Sequence, residues 1–298
     1  MSGLEIVTPV THDLGGFEVR RAVPSPRCRM VGPFVFVDQF GPARLDVGEG
    51  MDVRPHPHIN LATVTWLLGG EFAGAIEHRD SLGSFSTIRP GTVNLMTAGR
   101  GIVHSERTPA SDRERGPAMY GMQTWLALPD GREEIDPAFE AVGNLPLVED
   151  TGVAARVIMG RLWGTRAPTT CYAETIYAEI DLAPGGTVPI EAEADERAVM
   201  LVGGEATLGG EALPLYALAV LKPGVPMTLA TARGGKVMLL GGEAFATRRY
   251  VYWNFVSSDP ERIEQAKRDW VEGRFPLVPG DSAEFIPLPA QPKTVSYP

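Results

Sequence analysis

Residues 66–71 of the chain read WLLGGE, and residues 200–205 read MLVGGE. Both stretches place three apolar residues before a glycine pair and a glutamate, at an offset of 134 positions. Two later pairs of stretches keep the same order: IRPG at 88–91 with LKPG at 221–224, and TAGRG at 97–101 with TARGG at 231–235. Self-similarity over so long a period indicates two copies of one structural unit.

Short runs of β-branched, aromatic and leucine residues surround these repeats. Typical runs are FVFV at residues 34–37 and TVTW at residues 63–66. The 34 glycines and 26 prolines punctuate the chain, which is the pattern of short strands joined by turns. The sequence therefore predicts an all-β fold of two tandem barrels. We place the first domain at residues 1–130 and the second at residues 131–298, with the boundary in a polar, proline-containing segment.

One helix is predicted near the C-terminus. Residues 258–261 read SDPE, which offers an N-cap, a proline in the first turn and a capping-box glutamate. Ile263, Ala266 and Trp270 follow at helical spacing on one face. We therefore expect a short helix that packs against a barrel and carries no function of its own.

Composition and charge exclude several classes of protein. The formal net charge of −10 would repel a phosphate backbone, so we expect no direct nucleic-acid partner. Cys28 and Cys171 are far apart and indicate neither a disulfide framework nor a thiolate cluster. The first sixteen residues do not resemble a signal peptide, and no apolar stretch reaches bilayer length. These features predict a cytoplasmic protein that does not associate with membranes.

Four of the five histidines lie close together in sequence: His56, His58, His78 and His104. Side chains two apart on a strand point to the same face of the sheet. The triplet HPH at 56–58 can therefore direct two imidazoles into a barrel, and HSE at 104–106 an imidazole and a carboxylate. Pro57 lacks an N–H and fits an edge or bulge position. The predicted metal ligands are His56, His58, His104 and Glu106.

Three nitrogens and one anionic oxygen suit a borderline divalent ion, namely Fe(II), Mn(II), Ni(II), Cu(II) or Zn(II). We rank Fe(II) first because it would leave two coordination positions open for substrate and O₂, whereas a closed zinc site more often contains cysteine. The plainer alternative is that these histidines are core or surface residues without a metal. The residues 134 positions further on are not suitable ligands, so we expect the second barrel to lack the site: Ile190, Ala192, Met238 and Leu240.

Three residues near the cage have alternative roles. His78 could be a fifth ligand or could support the ligands by hydrogen bonding, and we favour a supporting or structural role because its alternate strand neighbours are not ligand types. Glu106 could act as a general base toward a bound phenol as well as a ligand. Arg100 could orient an anionic substrate, although an exposed turn arginine is the simpler interpretation.

The chain resembles the pirin family, a branch of the two-barrel cupins. The resemblance lies in VGPFVFVD at 31–38, PHPH at 55–58, EHRDSLG at 77–83 and MTAGRGIVHSE at 96–106, and it extends to RIEQA at 262–266 and GRF at 273–275. It implies two tandem cupin barrels of the double-stranded β-helix or jelly-roll type, the second one degenerate. It also implies an iron site whose three histidines and one glutamate fall on His56, His58, His104 and Glu106.

The resemblance leaves three functions open. Some pirins are similar to quercetin 2,3-dioxygenases, which implies an oxygenase that acts with O₂ on flavonol-like or other enolic or phenolic small molecules. Others act as redox-sensitive partners of transcription factors or bind metabolic enzymes, which implies a non-catalytic regulator with a protein partner. A metal that only stabilises the fold is the third. We favour the oxygenase, with Glu106 as the catalytic residue and Met96, Met122 and Trp125 as candidates for lining its cavity.

Overall fold

The computed structural model describes residues 4–13, 17–290 and 295–296. Two expectations from the sequence lie partly outside these residues: that the chain has no signal peptide, and the outer limits of the two predicted domains. The chain divides into two compact units, each assembled from separate segments. We call residues 12–19, 38–143 and 246–298 the first barrel, and residues 1–11, 20–37 and 144–245 the second barrel.

Short strands dominate the described chain. Up to residue 142 they are β1 (Leu4–Val7), β2 (Val10–Asp13), β3 (Glu18–Val23), β4 (Phe34–Arg44), β5 (Asp52–His58), β6 (Leu61–Leu67), β7 (Ile76–Asp80), β8 (Phe85–Ile88), β9 (Val93–Thr97), β10 (Ile102–Arg107), β11 (Ala118–Ala127) and β12 (Ala138–Val142). Beyond it they are β13 (Leu147–Asp150), β14 (Val153–Leu162), β15 (Thr165–Arg166), β16 (Thr175–Leu182), β17 (Thr187–Ile190), β18 (Glu196–Gly204), β19 (Thr207–Leu208), β20 (Glu211–Ala212), β21 (Leu218–Leu221), β22 (Met227–Ala230), β23 (Gly235–Gly242), β24 (Tyr250–Tyr252), β25 (Phe255–Ser257) and β26 (Val295–Ser296). The helical elements are a 3₁₀ turn (Gly70–Phe72), the four-residue α1 (Ala110–Arg113) and α2 (Pro260–Val271).

Two antiparallel sheets form the first barrel. The smaller sheet has the strand order β5-β10-β7-β8, and the larger has the order β12-β9-β6-β11 and continues into β4. Strand β6 reads LATVTWL and is buried along its whole length, as expected for a strand that is covered on both faces. Strand β5 changes from exposed at Asp52 to buried from Pro55 onward. The buried end of β5 is therefore where this barrel can hold a site.

The second barrel repeats this plan with an apolar interior. Its sheets have the orders β1-β21-β18-β23-β16-β14-β13 and β17-β22-β19-β20. Val199, Leu229 and Leu239 belong to its core. Strand β1 pairs with β21, with Leu4 opposite Leu221, so a segment that precedes the first barrel in sequence completes the second. The predicted domain limits at residues 1–130 and 131–298 stay predictions.

Helix α2 forms where the sequence predicts it. The Asp259 carboxylate accepts a hydrogen bond of 2.9 Å from the Glu261 backbone N–H, and Pro260 opens the helix. Ile263 and Ala266 are buried. The predicted all-β fold with one short C-terminal helix is confirmed. Within the described residues no helix has both the length and the apolar character needed to span a bilayer, and the cytoplasmic location stays a prediction.

The two barrels share one strand order, and this order shows that part of the sequence repeat was aligned incorrectly. The order β5-β10-β7-β8 corresponds to β17-β22-β19-β20, and β9-β6-β11 to β21-β18-β23. The WLLGGE and MLVGGE stretches include the ends of equivalent strands, β6 and β18. The later matches join strands that are not equivalent, since Ile88 ends β8 whereas Leu221 ends β21. The offset shrinks along the chain because the β19-β20 hairpin occupies residues 207–212, whereas the β7-β8 hairpin occupies residues 76–88.

The residues of the second barrel that are equivalent to the predicted ligands are therefore not those found at an offset of 134. Met238 and Leu240 lie on β23, the counterpart of β11, and not on the counterpart of β10. The counterpart of β10 is β22, which reads MTLA and pairs with β17, which reads TVPI. These two strands carry no histidine and no carboxylate, so the second barrel lacks the predicted ligand types on the strands that correspond to β5 and β10.

Candidate metal centre

Strands β5 and β10 bring the predicted ligands together inside the first barrel. They run antiparallel, with His104 opposite His56 and Ile102 opposite His58. Each predicted ligand is at most 8% exposed: His56, His58, His104 and Glu106. Burial of four polar side chains is costly unless they find hydrogen bonds, ion pairs or a metal. Their concentration in one place therefore needs a chemical explanation.

A bulge in β5 adjoins these residues. His104 pairs with His56, yet Glu106 pairs with Val53, so β5 holds one extra residue between the two pairs. A bulge of this kind bends its strand and redirects side chains, and bulges are frequent next to active sites. Strand β5 is the edge of its sheet, which agrees with the position expected for Pro57. Pro57 itself pairs with Val103 and lies outside the bulge.

Three of the four predicted ligands converge. One ring nitrogen from each of His56, His58 and His104 lies within 4.8 Å of the others. The Nε2 atoms of His58 and His104 are 3.1 Å apart. The ring centroids of His56 and His104 are 4.4 Å apart. Glu106 and His78 are outside this set, so the assignment of Glu106 as a fourth ligand stays a prediction.

Backbone carbonyls orient two of these rings. His56 Nδ1 lies 2.9 Å from the carbonyl oxygen of Arg54, and His58 Nδ1 lies 3.1 Å from that of Asn254. A carbonyl oxygen only accepts hydrogen bonds, so each Nδ1 carries the hydrogen and donates it. Each Nε2 therefore keeps its lone pair. Protein metal sites hold their histidines in this way, because the hydrogen bond of one nitrogen fixes the tautomer that presents the other.

The three histidines are neutral at physiological pH. Burial lowers the pKa of His56 to about 4. Burial, reinforced by the proximity of the other histidines, lowers the pKa values of His58 and His104 well below the ordinary value. A neutral imidazole is the form that binds a metal ion. The cluster thus needs no proton to be removed before it can act as a ligand set.

The arrangement fits a divalent ion. Two nitrogens bound to one ion at about 2.1 Å and at right angles to each other lie about 3.0 Å apart. The observed 3.1 Å between the Nε2 atoms of His58 and His104 matches this separation. Imidazole nitrogen suits iron, nickel, copper and zinc. Donor type, tautomer and spacing are therefore those of a metal site, and the three nitrogens do not by themselves select one metal.

Glu106 lies beside the cluster as a buried carboxyl group. Burial raises its pKa, and this effect outweighs the opposing influence of His78 and of Thr65. Its Oε1 is 3.3 Å from the Thr65 hydroxyl, which lies closer, at 2.7 Å, to the Gln123 side-chain oxygen. A nearby divalent cation would favour the ionised carboxylate. Glu106 can therefore serve as an anionic ligand or as a proton acceptor.

The larger sheet supplies a second wall. Its register places Thr63 opposite Trp125 and Met96, so these three side chains share one face. The Trp125 ring meets the His58 ring edge to face, with centroids 5.0 Å apart. Trp125 therefore lines the site, as the sequence interpretation suggested, and Met96 belongs to the same face. Met122 is an odd number of residues from Trp125 and points to the opposite face.

His78 lies next to the cluster on strand β7, opposite Glu106. Its ring stacks on Phe139 with centroids 4.4 Å apart, and its Nε2 is 3.2 Å from Asp80 Oδ2. Asp80 is the alternate strand neighbour of His78, so the sequence argument that such neighbours are not ligand types is wrong at this position. The hydrogen bond to Asp80 supports the favoured role of His78 as a partner of the ligands.

Sequence reasoning missed five residues that contact the predicted ligands, His78 or a partner of these residues: Thr65, Asp80, Gln123, Phe139 and Asn254. Only Asp80 could have been predicted from the sequence, since it lies two residues from His78, the same spacing as in the HPH and HSE triplets. The other four reach the site through sheet register or through a distant loop. Arg100 is exposed, contacts Asp136 and lies in a turn, in agreement with the simpler interpretation.

Two antiparallel barrels, one with an apolar interior and one with converging buried histidines, define a protein of the two-barrel cupin class. Two family descriptions match the chain, Pirin over residues 16–126 and the Pirin C-terminal cupin domain over residues 177–276. A pirin-like protein of Caulobacter vibrioides is 47% identical over 282 residues, which cover 93% of this chain and 96% of that protein. The chain belongs to the pirin family.

Solved structures share the fold of this chain. A crystal structure named as quercetin 2,3-dioxygenase, from Acinetobacter baumannii, aligns with a TM-score of 0.89 and 33% identity, and covers 98% of this chain and 97% of its own. The bacterial pirin YhhW of Escherichia coli, solved in complex with nickel(II), aligns with a TM-score of 0.62 and 17% identity, over 80% of this chain and 98% of its own. The second likeness concerns the fold alone.

Proposed function

We propose that this pirin is a metal-dependent oxygenase of the quercetin 2,3-dioxygenase type, which acts with O₂ on flavonol-like or other enolic or phenolic small molecules. The observation that carries the proposal is the convergence of three neutral, buried imidazoles. The likeness to the Acinetobacter baumannii structure supports the reaction class. His56, His58, His104 and Glu106 would hold the ion, with Fe(II) ranked first and Mn(II), Ni(II), Cu(II) and Zn(II) as alternatives.

The bound ion would supply Lewis acidity toward an acidic substrate oxygen and electron-transfer capacity toward O₂. Glu106 would act on the substrate proton. Burial raises the pKa of Glu106, and a carboxylate with a raised pKa is a stronger general base than an ordinary exposed glutamate. In this proposal Glu106 accepts the proton of an enol or phenol hydroxyl.

The wall formed by the larger sheet would hold the rest of the substrate. Trp125 offers an aromatic surface beside His58, which suits a planar ring system. Asn94 pairs with Thr65 in the sheet and therefore lies on the same face. Its side-chain Nδ2 is buried and has no hydrogen-bond partner among the described residues. A substrate carbonyl or hydroxyl oxygen would satisfy this donor, which makes Asn94 a candidate for substrate orientation.

Oxygen uptake tests the proposal. Protein loaded with Fe(II) should consume O₂ when mixed with at least one member of a panel of flavonols and simpler enolic phenols. Glu106→Gln should lower turnover by about 10²- to 10⁴-fold, the usual contribution of a general base. Metal content is measured on the same samples, so that loss of the base is separated from loss of the ion.

The chain offers a matched control for these variants. Four of the five histidines form the cluster or, in the case of His78, lie beside it. The fifth, His12, is exposed. His12→Ala should therefore keep full activity, whereas His104→Ala should lose it. Absence of O₂ uptake with every member of the panel, in protein shown to contain the metal, would exclude the oxygenase and favour a regulator that binds a protein partner.

A further inference from the structure

An apolar pocket lies on the outer side of the first barrel, away from the metal site. Val103 is part of its lining. Val103 precedes His104 on β10, so the two side chains point to opposite faces of the sheet. The rest of the lining comes from Pro55, the end of α2 and residues 273–288. The pocket has a volume of about 370 Å³, and small-molecule sites typically measure roughly 300 to 1,000 Å³. It is therefore large enough for a small organic ligand.

Three aromatic side chains line this outer pocket: Trp270, Phe275 and Phe285. The planes of Phe275 and Phe285 are inclined to the indole of Trp270 at 80° and 89°, with centroids 5.8 and 5.6 Å from it. An edge-to-face contact occupies the edge of one ring and one face of the other, so ring surface remains for a further contact. A planar aromatic molecule can make stacked or edge-to-face contacts with such rings.

Hydrogen bonds hold the wall of the outer pocket against the barrel. Asp281 accepts two hydrogen bonds from the Arg107 guanidinium, at 2.7 and 2.9 Å. The Trp270 indole N–H donates to the carbonyl of Ile286 at 3.0 Å, and the Ile286 N–H donates to the carbonyl of Pro55 at 2.8 Å. The wall is therefore fixed without a ligand, and a preorganised site loses less entropy when it binds one.

The polar groups of the outer pocket favour an uncharged ligand. Its two carboxylates, Asp281 and Glu284, both pair with Arg107. The described residues of the lining include no lysine, arginine or histidine, and its one hydroxyl side chain, Ser282, is exposed. An anion would meet the two carboxylates, and a cation would compete with Arg107 for them. Burial of a charge without a partner is costly, so a neutral molecule fits best.

Apolar side chains remain exposed at the rim of the outer pocket. Val271 is 69% exposed, Leu277 is 73% exposed and Phe285 is 57% exposed. Exposed apolar groups that gather in one place mark binding sites more often than scattered ones do. A ligand in the pocket would cover part of this surface and gain the free energy of apolar burial.

We propose that the outer pocket binds an uncharged, planar aromatic molecule at a site separate from the metal centre. The aromatic rings supply the contact surface, the fixed wall supplies the shape, and the paired carboxylates disfavour an anion. The site needs neither the metal nor O₂, so it stands or falls independently of the oxygenase.

Two fluorescent probes with one ring system test the preference for a neutral ligand. The uncharged probe N-phenylnaphthylamine should bind saturably, with one molecule per chain. Anilinonaphthalene sulfonate carries the same rings and a negative charge, and it should bind about 10-fold more weakly or worse, because the sulfonate approaches Asp281 and Glu284. Absence of saturable binding of the neutral probe, or equal or tighter binding of the sulfonate, overturns the inference.

Substitutions at the rim test the location, since exposed side chains can be changed without loss of the fold. Phe285→Ser should weaken binding of the neutral probe roughly 5- to 10-fold, because one aromatic contact is lost. Phe85→Ser is the matched control, since Phe85 is 58% exposed on β8, and it should bind like the wild type. Leu277→Asp and Val47→Asp form a second pair, at 73% and 72% exposure. Equal effects within both pairs would contradict the site.

Fluorine NMR of protein labelled with fluorotryptophan identifies the cavity that the probe enters. The signal of Trp270, assigned with Trp270→Phe, should shift when N-phenylnaphthylamine is added. The signal of Trp125, beside His58, should stay in place. A shift of Trp125 without a shift of Trp270 would put the probe in the proposed substrate cavity and overturn the inference.

A second copy of the chain is the alternative occupant of the outer pocket. Sedimentation velocity with and without the neutral probe separates the two. The oligomeric state should be the same in both samples. Dissociation of a dimer when the probe binds would identify the rim as an interface between copies and would overturn the small-molecule site.

Discussion

The two barrels differ most clearly at one pair of positions on their larger sheets. In the first barrel Thr65 lies opposite Gln123, and the two side chains are joined by a hydrogen bond of 2.7 Å. At the equivalent point of the second barrel Val199 lies opposite Leu239, and both belong to the apolar core. The same backbone thus holds a polar lining in one copy and a packed interior in the other.

The barrels also differ in whether they contain a buried positive charge. Arg197 is buried in the second barrel, and its guanidinium donates to the backbone carbonyls of Ile190, Glu191, Lys222 and Val225. That barrel contains a cation of its own, which is held by four backbone carbonyl groups. The first barrel instead gathers three neutral imidazoles with free lone pairs, an arrangement that an external cation would complete. The fold therefore allows a site, and the lining side chains decide whether one exists.

Substitution in the packed interior of the second barrel should lower stability the most. Leu239→Ala should lower the free energy of unfolding by about 2 to 5 kcal/mol, because it leaves a cavity in a closed apolar core. Urea unfolding measures this loss. Leu147→Ala is the control, since Leu147 is 45% exposed and its loss should change little. A loss below about 1 kcal/mol at Leu239 would mean that the second barrel is not tightly packed.

Metal binding should stabilise the wild type through the first barrel. At a free Ni(II) concentration of 100 times the dissociation constant, the free energy of unfolding should rise by about 2.7 kcal/mol. His58→Ala, at the same metal concentration, should show a much smaller rise, and chelation should return the wild type to its metal-free value. His12→Ala serves as the control. An equal rise in His58→Ala would place the stabilising ion somewhere else.

Acid should destabilise the metal-free protein through the first barrel, because the second barrel contains no histidine. Burial lowers the pKa of His56 from 6.5 to about 4, so between these values the unfolded chain binds a proton that the folded chain does not. Stability therefore falls as pH decreases through this window, and His56 contributes about 1 kcal/mol of that fall between pH 6.5 and 5.5. In His56→Gln the fall should be smaller by this amount. An unchanged pH dependence would show that His56 is not held neutral by burial.

Giving the first barrel the apolar lining of the second should change the free energy of unfolding only slightly. Thr65→Val removes one partner of a buried hydrogen bond and should cost about 1 kcal/mol. The double variant Thr65→Val/Gln123→Leu copies the apolar pair of the second barrel and should recover most of that loss, because no polar partner is left unsatisfied. Unfolding of the two variants side by side measures the coupling. A double variant that is less stable than the single one would show that Gln123 has another essential partner.

Much of the site could be read from residue spacing, because alternation along a strand is a local rule. The triplets at 56–58 and 104–106 place their outer residues on one face whatever the rest of the chain does. The bulge next to His56, the Asn254 carbonyl behind His58 and the Phe139 ring on His78 depend on which strands and loops meet. No local pattern encodes those contacts.

The repeat shows the same limit at the level of the fold. The WLLGGE stretch identified two copies correctly, but a constant offset aligned Met238 with His104, although β23 corresponds to β11. Hairpins of different length shift the register of the two copies, and only the strand order reveals the shift. The pairing of β1 with β21 was likewise beyond prediction, because it joins segments more than two hundred residues apart.

We expect His56, His58 and His104 to bind one divalent ion. Elemental analysis of protein purified without added metal, repeated after incubation with Fe(II) and desalting, measures this binding. The loaded wild type should contain about one ion per chain, His104→Ala essentially none, and His12→Ala as much as the wild type. Loaded wild type without bound metal, or His104→Ala with the same content as the wild type, would contradict it.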